Sequence, residues 1–98
     1  MTEEKAEKIL EEIKEYSSNM IRNYRDKEIE LQSINQNSKL IMDSIIESCN
    51  TCLMFLARYK GNDNIDRLNA LKFIFSGDNE KDQVFYKKIN EIENKFKN

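Results

Sequence analysis

The apolar positions of this chain fall into groups of unequal width. Ala6, Ile9, Leu10, Ile13, Tyr16, Met20, Ile21 and Tyr24 recur mostly at intervals of three and four, the period that lines one face of an α-helix. Thr2 stands where its hydroxyl can cap that helix, ahead of Glu3 and Glu4 in the first turn. Between Asp26 and Ser38 the stripe drifts. Ile29, Leu31 and Ile34 fall out of phase, and the polar run Asn35, Gln36, Asn37, Ser38 offers a turn and a new cap, so a break is expected there.

The stretch Leu40 to Tyr59, LIMDSIIESCNTCLMFLARY, has a different character. A second helix is predicted from about Ser38 to Lys60, with Met42, Ile45, Ile46, Cys49, Cys52, Leu53 and Leu56 as its main stripe. Leu40, Ile41, Met54 and Phe55 widen that stripe beyond what one neighbour covers. Gly61 fits the left-handed position that ends a helix, and Asn62, Asp63 and Asn64 form a loop whose last two residues can cap the next one. A short third helix follows from Ile65 to Phe75, with Ile65, Leu68, Leu71, Ile74 and Phe75 expected inward. Ser76, Gly77 and Asp78 break it, and Phe85, Ile89, Ile92 and Phe96 mark a fourth amphipathic helix.

No segment alternates with the period of a strand, and no repeat of solenoid length is present. The pattern therefore predicts a single all-α domain over residues 1–98, a four-helix bundle of up-and-down type or a long N-terminal helical hairpin extending beyond a smaller body. The absence of proline and the 35% of charged residues fit long solvated helices.

Charge narrows the function classes. Sixteen basic and 18 acidic residues give a formal net charge of −2, so there is no global basic field for a nucleic-acid backbone. Acids crowd the start (Glu3, Glu4, Glu7, Glu11, Glu12, Glu15) and lysines the end (Lys81, Lys87, Lys88, Lys95, Lys97), as helix dipoles and solubility favour. Asp43, Glu47 and Asn50 interrupt the most apolar stretch, which rules out a membrane span there, and the acidic start does not read as a signal peptide. A cytoplasmic or nuclear location is the default expectation.

Candidate chemistry is sparse. Cys49 and Cys52 form one CxxC with no histidine and no third cysteine in the chain, half of a zinc site at best, and they lie mid-helix on the apolar stripe, where two small buried hydrophobes are expected. Paired carboxylates such as Glu11 with Glu12 and Glu28 with Glu30 fall on polar faces. Gly61 and Gly77 build no phosphate loop, no serine sits in a nucleophile pattern, and the commonest general base is missing. No enzyme, no cofactor and no small-molecule substrate are expected.

Two binding surfaces remain. Arg22 and Arg25 flank Tyr24, and Arg58 and Lys60 flank Tyr59; basic residues interleaved with tyrosine suit phosphates and bases, so these four are the nucleic-acid candidates, with surface pairs such as Arg22 and Asp26 as the plainer expectation. The methionines and aromatics, Phe73 included, are mostly core by spacing. Leu40, Ile41, Met42, Met54 and Phe55 cannot all face one neighbour, and they are the candidates for contact with a protein partner or a second copy. The sequence thus favours a non-catalytic protein–protein interaction module, an oligomer or a subunit of a larger assembly. A small inhibitor of another protein, of the phage or parasite type, would use the same surface.

Three blocks in order, ILEEIKEY at Ile9 to Tyr16, CLMFLARYKGNDNIDRLNALKFIF at Cys52 to Phe75 and FYKKINEI at Phe85 to Ile92, resemble the helical domain of a GINS replication-complex subunit. The family's small β-rich domain has no counterpart in these residues, and Glu47 and Ser48 stand where that family has basic residues before its central helix. The resemblance implies a non-enzymatic scaffold subunit of a heterotetramer that binds the replicative helicase. It carries over no site residue.

Overall fold

The computed structural model describes residues 1–34, 36–59, 63–77 and 80–97, with side chains for 1–24, 40, 42–59, 63–77 and 83–97. Four helices follow one another: α1 (Glu3–Ile34), α2 (Gln36–Arg58), α3 (Asn64–Ile74) and α4 (Glu80–Lys95). The described residues contain no strand. None of their helices is long and apolar enough to cross a membrane.

Side-chain caps fix the starts of α1 and α3. The Thr2 hydroxyl accepts from the Lys5 N–H at 3.2 Å and the Thr2 carbonyl from the Ala6 N–H at 3.0 Å, which opens α1. Asp63, in extended conformation, accepts from the Asp66 N–H at 2.7 Å and caps α3. Two further orphan donors of α3 are met from the far end of the sequence: Glu3 accepts from the Asn64 N–H at 2.7 Å and the Ile65 N–H at 2.9 Å. A carboxylate at a helix N-terminus is favoured by both hydrogen bonding and the dipole, so Glu3 clamps α1 onto α3. At the other side of the same loop, Arg67 donates to the Leu56 carbonyl at 3.0 Å, satisfying one of the free carbonyls that end α2.

The core lies between the first half of α1 and the second half of α2. Ala6, Ile9, Leu10 and Ile13 from α1 meet Cys49, Cys52 and Leu56 from α2, and Leu68, Leu71, Phe75, Phe85, Ile89 and Ile92 close the cluster. Phe85 is its aromatic centre, with its ring 4.5 Å from that of Phe75 and 6.2 Å from that of Tyr16. The long axis of the molecule is 46 Å, close to the roughly 48 Å expected of a helix the length of α1. The four helices form one all-α globule in which α1 packs mainly against α2 and α3.

Several sequence expectations are corrected. The break expected around Asp26 to Ser38 falls between Ile34, the end of α1, and Gln36, where α2 begins two residues ahead of the predicted Ser38. Ile74 was expected inward and is 39% exposed; Phe73 was expected in the core and is 80% exposed. Leu68, Leu71 and Phe75 take the buried face of α3. At about 100° per residue Phe73 lies nearly opposite Leu71, so both cannot point at one core. Gly61, Lys60 and Asn62 fall outside the described residues.

Candidate interaction surface

The second half of α2 presents Thr51, Met54, Phe55, Arg58 and Tyr59 at intervals of three and four, and Ile74 from α3 closes one side. These six residues line an open groove of about 420 Å³. Its floor is the Phe55 and Tyr59 rings, stacked 4.8 Å apart with 21° between their planes, and Phe55 is also packed against the core. Met54 is 52% exposed and Ile74 39% exposed, so the α2–α3 face presents apolar surface that no described residue covers, and Phe73, next to Ile74 in the chain, is exposed as well. Among the lining residues only Arg58 is charged.

The structure brings together part of the surface expected from the sequence. Met54 and Phe55 meet in the groove. Leu40 is exposed and Met42 half-buried, but Leu40 lies roughly 21 Å along α2 from Met54 and belongs to a different part of the molecule. The side chain of Ile41 falls outside the described residues. Phe73, Ile74 and Tyr59 were not picked out by spacing. The available signal was the run Phe73-Ile74-Phe75, because three consecutive apolar residues cannot share one narrow helical face.

The four nucleic-acid candidates do not form one described patch. Arg22 and Arg58 are both exposed, yet Tyr24, two residues after Arg22, bonds the Asp43 carboxylate, and Asp43 precedes Arg58 by roughly 22 Å of helix. The side chain of Arg25, that of Asp26 and all of Lys60 fall outside the described residues.

A second cleft, of about 230 Å³, runs between α1, α2 and α3 with Glu7, Glu11, Lys14 and Arg67 on its walls. Its charges are of both signs, and Arg67 Nε, buried beneath it, meets no hydrogen-bond partner among the described residues. A ligand in the cleft would not reach it.

Cys49 and Cys52 are free thiols at the centre of the core. Burial pushes both up to about 11; the adjacent Ser17 hydroxyl pulls the other way, without a hydrogen bond of normal geometry. At neutral pH they are protonated and weak nucleophiles. Among the described residues no three Cys, Asp or Glu side chains gather as a metal would require.

These thiols make stability depend on pH at the alkaline end. The unfolded chain releases the thiol protons near 9, the folded chain only near 11, so the stabilisation is intact below about 9 and is lost as pH rises through 11. Burial also raises Tyr16, with the charges of Cys49 and Glu91 adding to it, which acts in the same direction. The urea midpoint should therefore fall between pH 9 and 11, and a variant carrying Cys49→Ala and Cys52→Ala should show a shallower fall. An equal fall in both proteins would remove the thiols as its cause.

Comparison with protein-family models, with curated proteins and with solved structures finds no match to this chain.

Proposed function

We propose that the protein is a non-catalytic helical interaction module, an oligomer or a subunit of a larger assembly, whose contact face is the α2–α3 groove with Phe73 at its rim. The observation that carries this reading is the exposure of Met54 and Ile74 in an open groove that Phe55 and Tyr59 also line, with the exposed Phe73 next to Ile74 in the chain. Scattered single apolar residues on a surface are ordinary, whereas a contiguous group built around a groove marks a contact site. A chain without histidine and with its thiols held protonated offers little to general acid–base or nucleophilic chemistry.

Affinity capture of the tagged protein from its source cells tests this when wild type is compared with Met54→Asp and Phe73→Asp. Both changes fall on exposed positions and should leave the helical circular dichroism spectrum intact. One stoichiometric protein, or a second copy of the chain, should come down with wild type and be lost with both variants. Replicative-helicase components in that role would support the narrower GINS-like scaffold reading. Recovery that neither variant alters would remove the α2–α3 face as the contact surface.

A further inference from the structure

We propose that Cys49 and Cys52 hold a soft monovalent cation, Cu(I), between their sulfurs, with the Ser17 hydroxyl as hydrogen-bond donor to the bound thiolates. The site lies inside the core and is independent of the α2–α3 face.

Three side chains make the site. Cys49 and Cys52 stand one turn apart on the buried side of α2, both fully covered and both free of any disulfide. Ser17 of α1 is fully covered as well and lies beside both thiols. Its Oγ meets no hydrogen-bond partner among the described residues. A buried hydroxyl without a partner is costly, and an apolar core has no use for one. Thiols are weak acceptors, whereas an ionised sulfur accepts a hydrogen bond strongly. Ser17 therefore gains its acceptor when the two sulfurs are ionised, and a bound metal ion is what ionises them at neutral pH.

The number and kind of ligands select the cation. A structural Zn(II) site takes four ligands, and the chain has no histidine and no third cysteine to complete one. Cu(I) is satisfied by two thiolates in a line, and soft sulfur is the ligand it prefers. Binding releases two thiol protons for each copper that enters, which leaves one negative charge on the bound pair. The Ser17 hydroxyl is placed to donate to that charge, as outer-shell groups do at metal sites.

Spacing separates a bridging cation from a disulfide. Residues three apart on a helix have Cβ atoms about 5–6 Å from each other, while a disulfide requires about 3.5–4.5 Å. Closing that gap would distort α2. A metal ion between the sulfurs adds two bonds to the span and leaves the helix in place. Burial also keeps both thiols protonated and slow to react with oxidants, so they stay available to the metal.

The test is an anaerobic titration of the intact protein with Cu(I) held by the coloured chelator bicinchoninate. Incubation is long, because fully covered thiols take up metal only through local opening. Wild type should withdraw one copper per chain, with its helical circular dichroism and its sedimentation unchanged and two sulfur neighbours around copper in X-ray absorption. Cys49→Ala combined with Cys52→Ala should withdraw none. Ser17→Ala keeps both thiols and should bind roughly 10- to 100-fold more weakly. Zn(II), offered against a zinc indicator, should not be retained. No uptake by wild type, or uptake that persists without the two cysteines, would overturn the inference. So would uptake that melts the helices or joins two chains around one metal. Zn(II) held as tightly as copper would overturn the choice of cation, and an unchanged affinity in Ser17→Ala would overturn the role given to that hydroxyl.

Discussion

Phe85→Ala should destabilise the domain by about 3–5 kcal/mol, the range for deleting a fully buried aromatic ring and leaving its cavity. Phe85 is 3% exposed and joins Phe75, which ends α3, to Tyr16 of α1. Removing the ring therefore loosens three helices at one point. In a domain of this size the melting temperature should fall by roughly 15 °C or more. Phe73→Ala, the same change on an 80% exposed ring, should alter stability by less than about 0.5 kcal/mol. Thermal melts of the two variants side by side check the assignment, and comparable losses would mean that Phe73 is buried and the groove has no aromatic rim.

The second large effect is expected at Lys72. Its ammonium lies 2.8 Å from Glu93, whose side chain is 9% exposed against 26% for Lys72. Lys72→Ala would leave the Glu93 carboxylate buried without its counter-charge. Breaking a fully buried pair costs about 3–5 kcal/mol, and the partial exposure of Lys72 reduces this to about 2–3 kcal/mol. The urea midpoint should drop by roughly 1–2 M. Replacing both partners, Lys72→Met with Glu93→Leu, should recover most of that loss, since it removes the stranded charge along with the pair. A single variant as stable as wild type would mean that water already screens the contact. The exposed pairs Lys8 with Glu4 and Lys95 with Glu12 should show no comparable loss.

The parts of this fold that depend on neighbouring residues were legible in the sequence. The stripes Ala6 to Ile13 and Phe85 to Ile92 name buried faces correctly, and Thr2 and Asp63 cap the helices they were expected to cap. Cys49 and Cys52 are buried as the apolar stripe implied. The break expected between Asp26 and Ser38 falls at the start of the polar run, since α1 ends at Ile34 and α2 begins at Gln36; the drift of phase marks a change in which face is covered and does not stop the helix earlier. Glu28, Glu30, Leu31 and Gln32 are good helix formers and carry α1 onward to Ile34.

What depends on distant residues was not legible. Glu3 reaches the start of α3 across 61 residues, and Lys72 of α3 meets Glu93 of α4 only through the tertiary fold. Neither contact leaves a local signature. The contact surface was half legible: the excess width of α2 pointed to Met54 and Phe55, but the other wall comes from α3. A short helix with Leu68 and Leu71 already inward has no buried face left for Phe73.

The central claim is that the α2–α3 face is where this protein meets another chain, and a photo-crosslinking residue in place of Phe73 tests it most directly. p-Benzoylphenylalanine keeps the ring at that exposed position, and the same group in place of Lys8, on the charged outer face of α1, serves as control. Irradiation in source cells should yield a discrete protein adduct from position 73 and none from position 8. No adduct at position 73, or equal adducts from both positions, would contradict the account.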